Sequence, residues 1–210
     1  FRSVAGFPTI VPSTVFGQMA PSNRINVGAI GNGRISRSHD MPNIWKYDGA
    51  RIMAVCDLDS NRVAEARTLV NGYYSKKTDK SYDGVTIYHD HRELLLNKDI
   101  DAVVISTPDH WHVIPAVHAV QAGKDVYLQK PASLTIDEGR YLSNAVNASG
   151  RILQMGTQQR SMPPFRYAVE LVRNGRIGEV KAVEVGLPID PSGDDEPEMP
   201  IPKNLNYEQW

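Results

Sequence analysis

The chain has 210 residues, of which 41% are hydrophobic, enough for one well-buried domain and part of a second. Its 23 basic and 24 acidic side chains leave a formal charge of −1 and form no dense Lys/Arg stripe, so nucleic acid and an anionic membrane surface are not expected partners. No apolar run reaches the roughly 18 residues that a membrane span needs. Cys56 is the single cysteine, which excludes an internal disulfide and a cysteine-based zinc site.

The first residues differ in character from the rest of the chain. Residues 1–24 mix Phe, Val and Ile with Pro8, Pro12 and Pro21, and these prolines interrupt any long helix or interior strand. We therefore predict an extended N-terminal arm over 1–24.

From Ile25 onward, short β-branched runs alternate with helix-like segments, a pattern typical of strand–helix units that feed a parallel sheet. The predicted strands are 25–30, 51–56, 85–88, 101–106, 125–129 and 151–155. The predicted helices are 34–46, 60–71, 91–97, 111–122, 135–148 and 163–174. Asp90 with Glu93, and Thr135 with Glu138, have capping-box spacing and mark two of the helix starts. The predicted fold class is α/β, a Rossmann-type doubly wound, mostly parallel sheet with helices on both faces.

The pattern changes after Gly175. Residues 177–188 predict a longer half-exposed strand, and residues 189–202 are acidic and rich in proline. We predict a first domain over 25–176 and, over 177–210, the beginning of a truncated C-terminal α/β domain.

The stretch INVGAIGNGRIS, residues 25–36, has the glycine spacing of a dinucleotide cradle at the point where a strand turns into a helix. Gly31 permits the tight turn, Gly33 lets the backbone approach a pyrophosphate, and Ser36 stands where a third glycine is usual. Arg34 and Ile35 follow in the first helical turn, whose N–H groups meet phosphate charge. Alone, this motif does not separate a cofactor cradle from a structural turn.

Asp57 ends the next predicted strand, 26 residues after Gly31, where an acid can accept hydrogen bonds from an adenosine ribose. Its carboxylate would repel a 2′-phosphate, so the sequence favours NAD over NADP as cofactor. The structural alternative is that Gly31 and Gly33 form a plain turn and Asp57 caps the helix that follows.

Two further polar groups follow predicted strands at the edge where open parallel sheets bind ligands. After the fourth strand, STPDHWH should direct Thr107, Pro108, Asp109 and His112 to the cofactor crevice. His110 and His112 are two residues apart, so their side chains point in different directions, which disfavours a metal site. After the fifth strand, Lys130 stands beside the expected nicotinamide position, where it could hold a substrate hydroxyl and help remove its proton; the alternative is a solvated surface lysine.

With these motifs in this order, followed by GTQQR, residues 25–188 resemble the Gfo/Idh/MocA family of NAD(P)-dependent oxidoreductases. The resemblance implies a catalytic lysine at Lys130. It implies cofactor contacts at Gly31, Gly33, Asp57, Thr107, Asp109 and His112, and a cofactor or substrate contact at Arg160. The usual Glu-Lys-Pro of the family appears here as Gln129-Lys130-Pro131, and Gln129 could still accept a hydrogen bond from a ribose hydroxyl but carries no charge.

Members of the family complete their site with an Asp and a His from the following domain, and no histidine occurs after His118. We therefore expect the cofactor part of a longer sugar or cyclitol dehydrogenase, homo-oligomeric at full length and inactive as this piece, with Trp210 an interior point. Two other hypotheses remain open: a glycoside hydrolase of the same family that oxidises its substrate transiently, and a non-catalytic nucleotide-binding module. In the last case an acidic strip would bind a partner: Asp194, Asp195, Glu196 and Glu198.

The N-terminal arm is also similar to the tail of twin-arginine export leaders, although the Arg-Arg pair is not in the sequence. Cytoplasmic and exported locations therefore both stay open.

Overall fold

The computed structural model describes residues 23–187, 193 and 197–210. Contacts divide the chain into one unit of Phe1–Met155 with Asn204–Trp210, and a second of Gly156–Lys203. This division differs from the boundary at 176/177 predicted from composition, which stays a prediction for the longer protein. Most of the predicted arm, residues 1–22, lies outside the described residues, as do Asp194, Asp195 and Glu196.

Six strands form one sheet in the order β3-β2-β1-β4-β5-β6. Their bounds are β1 Ile25–Ile30, β2 Ala50–Cys56, β3 Thr86–Tyr88, β4 Ala102–Ile105, β5 Asp125–Gln129 and β6 Leu153–Gly156. The pairs β1–β2, β1–β4, β2–β3 and β4–β5 are parallel. Because chain order reverses on either side of β1, the loops after β1 and β4 diverge at the carboxyl edge and leave a crevice there. The predicted Rossmann-type sheet is confirmed.

Helices follow the strands. Their bounds are α1 Met41–Trp45, α2 Ser60–Thr78, α3 His91–Leu96, α4 Val113–Gln121, α5 Ile136–Ser149 and α6 Pro163–Arg173. Helices α2, α3 and α5 begin at a residue whose side chain caps the helix. The predicted capping box of Thr135 and Glu138 is present at the start of α5. Asp90 caps α3 as predicted, although its carboxylate accepts from the N–H of Arg92 rather than of Glu93. No helix in the described part of the chain has the length and apolar character needed to cross a bilayer.

Two apolar clusters cover the two faces of the sheet. Along β1, Ala29 belongs to one cluster and the next residue, Ile30, to the other, as the alternation of side chains along a strand requires. Helix α4 packs into the Ile30 cluster through four apolar side chains: Val113, Ala116, Val117 and Val120. The Ala29 cluster packs against α1 and α2 through Met41, Val63 and Val70.

Two helices differ from their predicted form. The segment after Gly33 is π-helical over Ser36–Asp40 before α1 begins, and Pro42, which has no N–H to donate, prevents an even α-helical ladder there. Helix α2 continues to Thr78 instead of ending near residue 71. Its added turns are anchored by Tyr73, stacked on Trp45 at 4.6 Å between ring centroids.

The strand predicted at 177–188 is not found, since residues 177–187 contain no strand. Val183 and Val185, which would share one face of such a strand, are 79% and 74% exposed. A strand needs a neighbour to pair its N–H and C=O groups, and residues 157–187 supply none.

Candidate functional site

The turn after β1 can be made only by glycine. Gly31 has a φ of +80°, and a Cβ there would lie 2.6 Å from the backbone N of Thr107 and 2.7 Å from the carbonyl carbon of Ser106. These are backbone atoms that no rotamer change can move, so the turn and the loop after β4 are in direct contact. At Gly33 a Cβ would meet only Nη1 of Arg62, at 3.9 Å, which leaves open space above the backbone.

Asp57 fixes the geometry of this turn from the end of β2. Its Oδ2 accepts from the N–H of Asn32 at 2.6 Å, and its Oδ1 accepts from the N–H of Asp59 at 2.9 Å. The cap of α2 is Asp59, whose Oδ1 accepts from the N–H of Asn61 at 2.8 Å. The alternative that Asp57 caps this helix is therefore wrong. Its carboxylate braces the glycine turn instead.

A cavity of about 410 Å³ opens beside the turn, at the carboxyl ends of β1, β2 and β4. Seven of the predicted site residues line it: Gly31, Gly33, Arg34, Ile35, Asp57, Thr107 and Pro108. Its position matches the crevice where open α/β sheets bind their ligands.

Sequence reasoning missed several other residues that line the same cavity: Asp90, His91, Arg92, Trp111 and His118. His91 Nε2 lies 2.9 Å from His118 Nδ1, and the two rings stack. Burial lowers the pKa of His91 to about 4, with the charge of His118 as a smaller cause, so the cavity carries no imidazolium charge from His91 at neutral pH. Asp90 was recognisable as a cap, but no local pattern indicated that α3 and α4 meet beside the glycine turn.

His112 does not face the crevice, contrary to the sequence expectation. The side chain is 1% exposed, and its Nε2 lies 2.9 Å from the carbonyl oxygen of Thr107 while Nδ1 contacts the carbonyl oxygen of Pro131. A buried imidazole needs hydrogen-bond partners, and here they come from the loops after β4 and β5. His112 therefore links the loop after β4 to the loop after β5.

Gln129 is also buried and turned inward. Its Nε2 donates to Oδ1 of Asp40 at 2.7 Å, and its Oε1 accepts from the N–H of Lys130 at 3.2 Å. The buried Asp40 carboxylate accepts a second bond, at 2.7 Å, from the hydroxyl of Ser106 at the end of β4. The amide of Gln129 thus binds a carboxylate within the protein, and nothing in the sequence singled out Asp40.

The remaining predicted residues do not line the cavity. Lys130 is exposed just after β5, and its bond to Pro131 is cis. Asp109 is exposed in a short 3-10 turn. Arg160 is exposed in another such turn within the second unit. The described residues contain no group of three or more His, Cys, Asp or Glu side chains arranged to hold a metal ion.

The Asp40–Gln129 pair makes a prediction about stability. Replacing Gln129 with glutamate would bring two buried carboxylates into contact, which cannot both stay ionised without a large cost. We expect Gln129→Glu to lower the free energy of unfolding by about 2–5 kcal/mol and the Tm by roughly 5–20 °C in thermal denaturation. Adding Asp40→Asn again places an amide against a carboxylate, so the double variant should recover at least half of the loss. A Tm for Gln129→Glu equal to the wild-type value would refute the pairing.

Comparison of the sequence with known protein families agrees with a dinucleotide-binding fold. Residues 25–157 match the sequence model of the Gfo/Idh/MocA family, described as an oxidoreductase family with an NAD-binding Rossmann fold. The chain belongs to the Gfo/Idh/MocA oxidoreductase family. The resemblance drawn from the motifs is thereby confirmed.

The relatives of this Gfo/Idh/MocA chain are about twice as long as the chain itself. It is 31% identical over 162 residues to uncharacterized oxidoreductase ORF334 of Rhizobium meliloti, covering 76% of this chain and 44% of the relative. It is 31% identical over 182 residues to glycosyl hydrolase family 109 protein 2 of Shewanella sp. (strain ANA-3), covering 85% and 39%. Scyllo-inositol dehydrogenase from Lactobacillus casei, solved with NAD(H) and scyllo-inositol, superposes with a TM-score of 0.61 at 25% identity, covering 74% and 43%. The chain thus spans less than half of each relative.

Proposed function

We propose that this chain is the NAD-binding part of a longer oxidoreductase that transfers a hydride between a secondary alcohol of a sugar or cyclitol and nicotinamide. The observation that carries the proposal is the cavity where the Gly31 turn, Asp57 and the loop after β4 meet. The family membership and the likeness to scyllo-inositol dehydrogenase support the reaction class and the substrate class.

The residues around the turn suit a dinucleotide. The open backbone at Gly33 is a surface that a pyrophosphate could approach, and helical structure begins directly after it. Asn32 Oδ1 and Ser36 Oγ are buried beside this backbone without a hydrogen-bond partner in the described protein.

Asp57 is the reason to propose NAD over NADP. Its two oxygens brace the turn through Asn32 and Asp59, which fixes a carboxylate at the edge of the cavity. A carboxylate there can accept from ribose hydroxyls through its remaining lone pairs and would repel a 2′-phosphate.

Lys130 is proposed to bind the substrate hydroxyl and to take up its proton while the bound nicotinamide supplies the hydride acceptor. Gln129 and His112 are proposed to set the position of Lys130, because Gln129 accepts from the N–H of Lys130 and His112 contacts the carbonyl of Pro131. Asp109 and Arg160 remain proposed contacts of cofactor or substrate, on the strength of the family motifs alone.

The whole protein is proposed to extend past the cofactor part, with residues 177–210 near the start of its substrate domain and with homo-oligomers at full length. The small shared fraction of the relatives supports the extension of the chain but does not bear on the homo-oligomer. A glycoside hydrolase that oxidises its substrate transiently is the second candidate, favoured by the family 109 relative from Shewanella.

Assay of the full-length protein separates the two candidates. We expect NADH to accumulate when NAD⁺ is supplied with a cyclitol or sugar alcohol, and no release of nitrophenol from a panel of nitrophenyl glycosides. Nitrophenol release without net NADH formation would overturn the dehydrogenase proposal in favour of the hydrolase.

A further inference from the structure

Residues 204–210, which we call the strap, pack on the first unit although they are distant from it in sequence. One end of the strap is held by the loop after β2 and by the first residue of α2. The N–H of Ser60 donates to the carbonyl of Asn204 at 2.8 Å, and the N–H of Asn206 donates to the carbonyl of Leu58 at 3.0 Å. These backbone bonds fix this end of the strap beside Asp57.

The other end of the strap is held by the turn after β4. The carbonyl oxygen of Trp210 accepts from Nε1 of Trp111 at 2.9 Å and lies 2.8 Å from Nε2 of His110. The rings of His110 and Trp210 also meet edge to face, with centroids 5.5 Å apart. The strap therefore runs from the loop after β2 to the loop after β4.

Between these two ends the strap forms part of the cavity wall. Leu205, Gln209 and Trp210 line the same cavity as Gly31 and Asp57. Several of the side chains that line the cavity are flat or apolar: Leu58, His91, Trp111, Ile114, Leu205 and Trp210. A planar, uncharged heteroaromatic base suits such a wall, because it can stack on aromatic rings and be covered by aliphatic side chains.

We propose that the strap is a structural part of the adenosine subsite, in which Leu205 and Trp210 cover the adenine base of the bound dinucleotide. The inference rests on the proposed function, since Asp57 at the ribose sets which half of the cofactor lies beneath the strap. The nicotinamide half then lies toward the loop after β5, away from the strap.

The test compares ligands that contain or lack the adenosine half. We expect Leu205→Ala/Trp210→Ala to weaken binding of NADH and of ADP-ribose by the same factor, about tenfold or more, as loss of base stacking does elsewhere. Nicotinamide mononucleotide, which has no adenine, should bind the variant and the wild type equally in calorimetric titrations. The matched control, Leu134→Ala/Tyr141→Ala, removes side chains that are 59% and 60% exposed and do not line the cavity, and should bind as the wild type does.

The outcomes distinguish failure of the strap inference from failure of the proposed NAD site. A wild-type chain that binds neither NADH nor ADP-ribose refutes the cofactor site itself. If the wild type binds ADP-ribose and the Leu205→Ala/Trp210→Ala variant binds it with the same affinity, only the role proposed for the strap is refuted.

A second measurement needs no variant and so does not depend on variant folding. Lys203 is exposed and immediately precedes the strap, so trypsin can release residues 204–210 by cutting after it. We expect bound ADP-ribose to slow this cleavage, followed by mass spectrometry, relative to cleavage after the exposed Lys98. Equal rates of cleavage after Lys203 with and without ADP-ribose would contradict the role proposed for the strap.

Discussion

Replacing Gly31 with alanine is expected to destabilise the first unit and to weaken NADH binding by at least about tenfold. The new Cβ would lie 2.6 Å from the backbone N of Thr107, at a φ of +80° that L-residues avoid. The backbone strain costs about 1–2 kcal/mol and the overpacking about 1–3 kcal/mol. Thermal denaturation should therefore show a Tm roughly 5–20 °C below the wild-type value.

Gly33→Ala serves as the matched comparison. Its Cβ would meet only Nη1 of Arg62, at 3.9 Å, so stability should stay within about 0.5 kcal/mol of wild type. NADH affinity should still fall, because the methyl group occupies the surface that the pyrophosphate approaches. If Gly33→Ala bound NADH as tightly as the wild type, the cradle would not lie at this turn.

Replacing Lys130 with alanine in the full-length protein is expected to reduce turnover of its alcohol substrate by about 10²–10⁴-fold, the usual range for loss of a general acid–base group. The Kd for NADH should stay within about threefold of the wild-type value, because Lys130 does not line the cavity described above. Steady-state kinetics and NADH titration on the same preparations measure both quantities.

Lys98→Ala is the control for this experiment, since Lys98 is an exposed lysine outside the cavity. It should leave both turnover and NADH affinity unchanged. Turnover of Lys130→Ala within about tenfold of wild type would show that another group moves the proton.

Local patterns in the sequence predicted the elements and the ligand-binding edge. The strands 25–30 and 125–129 were predicted with the bounds that the structure has, because β-branched runs between turn residues are decided within a few residues. Gly31 and Asp57 could be found for the same reason, since a strand end, a tight turn and a helix start lie next to each other in sequence.

Features that depend on distant residues could not be predicted in this way. Asp40 is buried by partners 66 and 89 residues away, Ser106 and Gln129, and its own neighbours indicate only a helix surface. The inward orientation of Gln129 follows from the same contact. The strap is a further case, because Trp210 meets the turn at His110 across 100 residues.

The second unit shows a limit of pattern reading. Alternating valines at 183 and 185 favour a strand on local grounds, but pairing partners decide whether one forms. Residues 157–187 contain no strand that could pair with them, and both valines are exposed.

The most direct test of the central claim is a calorimetric titration of the wild-type chain with NADH and with NADPH. We expect one NADH to bind per chain, at least about tenfold more tightly than NADPH, because the Asp57 carboxylate at the cavity edge repels a 2′-phosphate. The absence of NADH binding, or tighter binding of NADPH, would contradict this account.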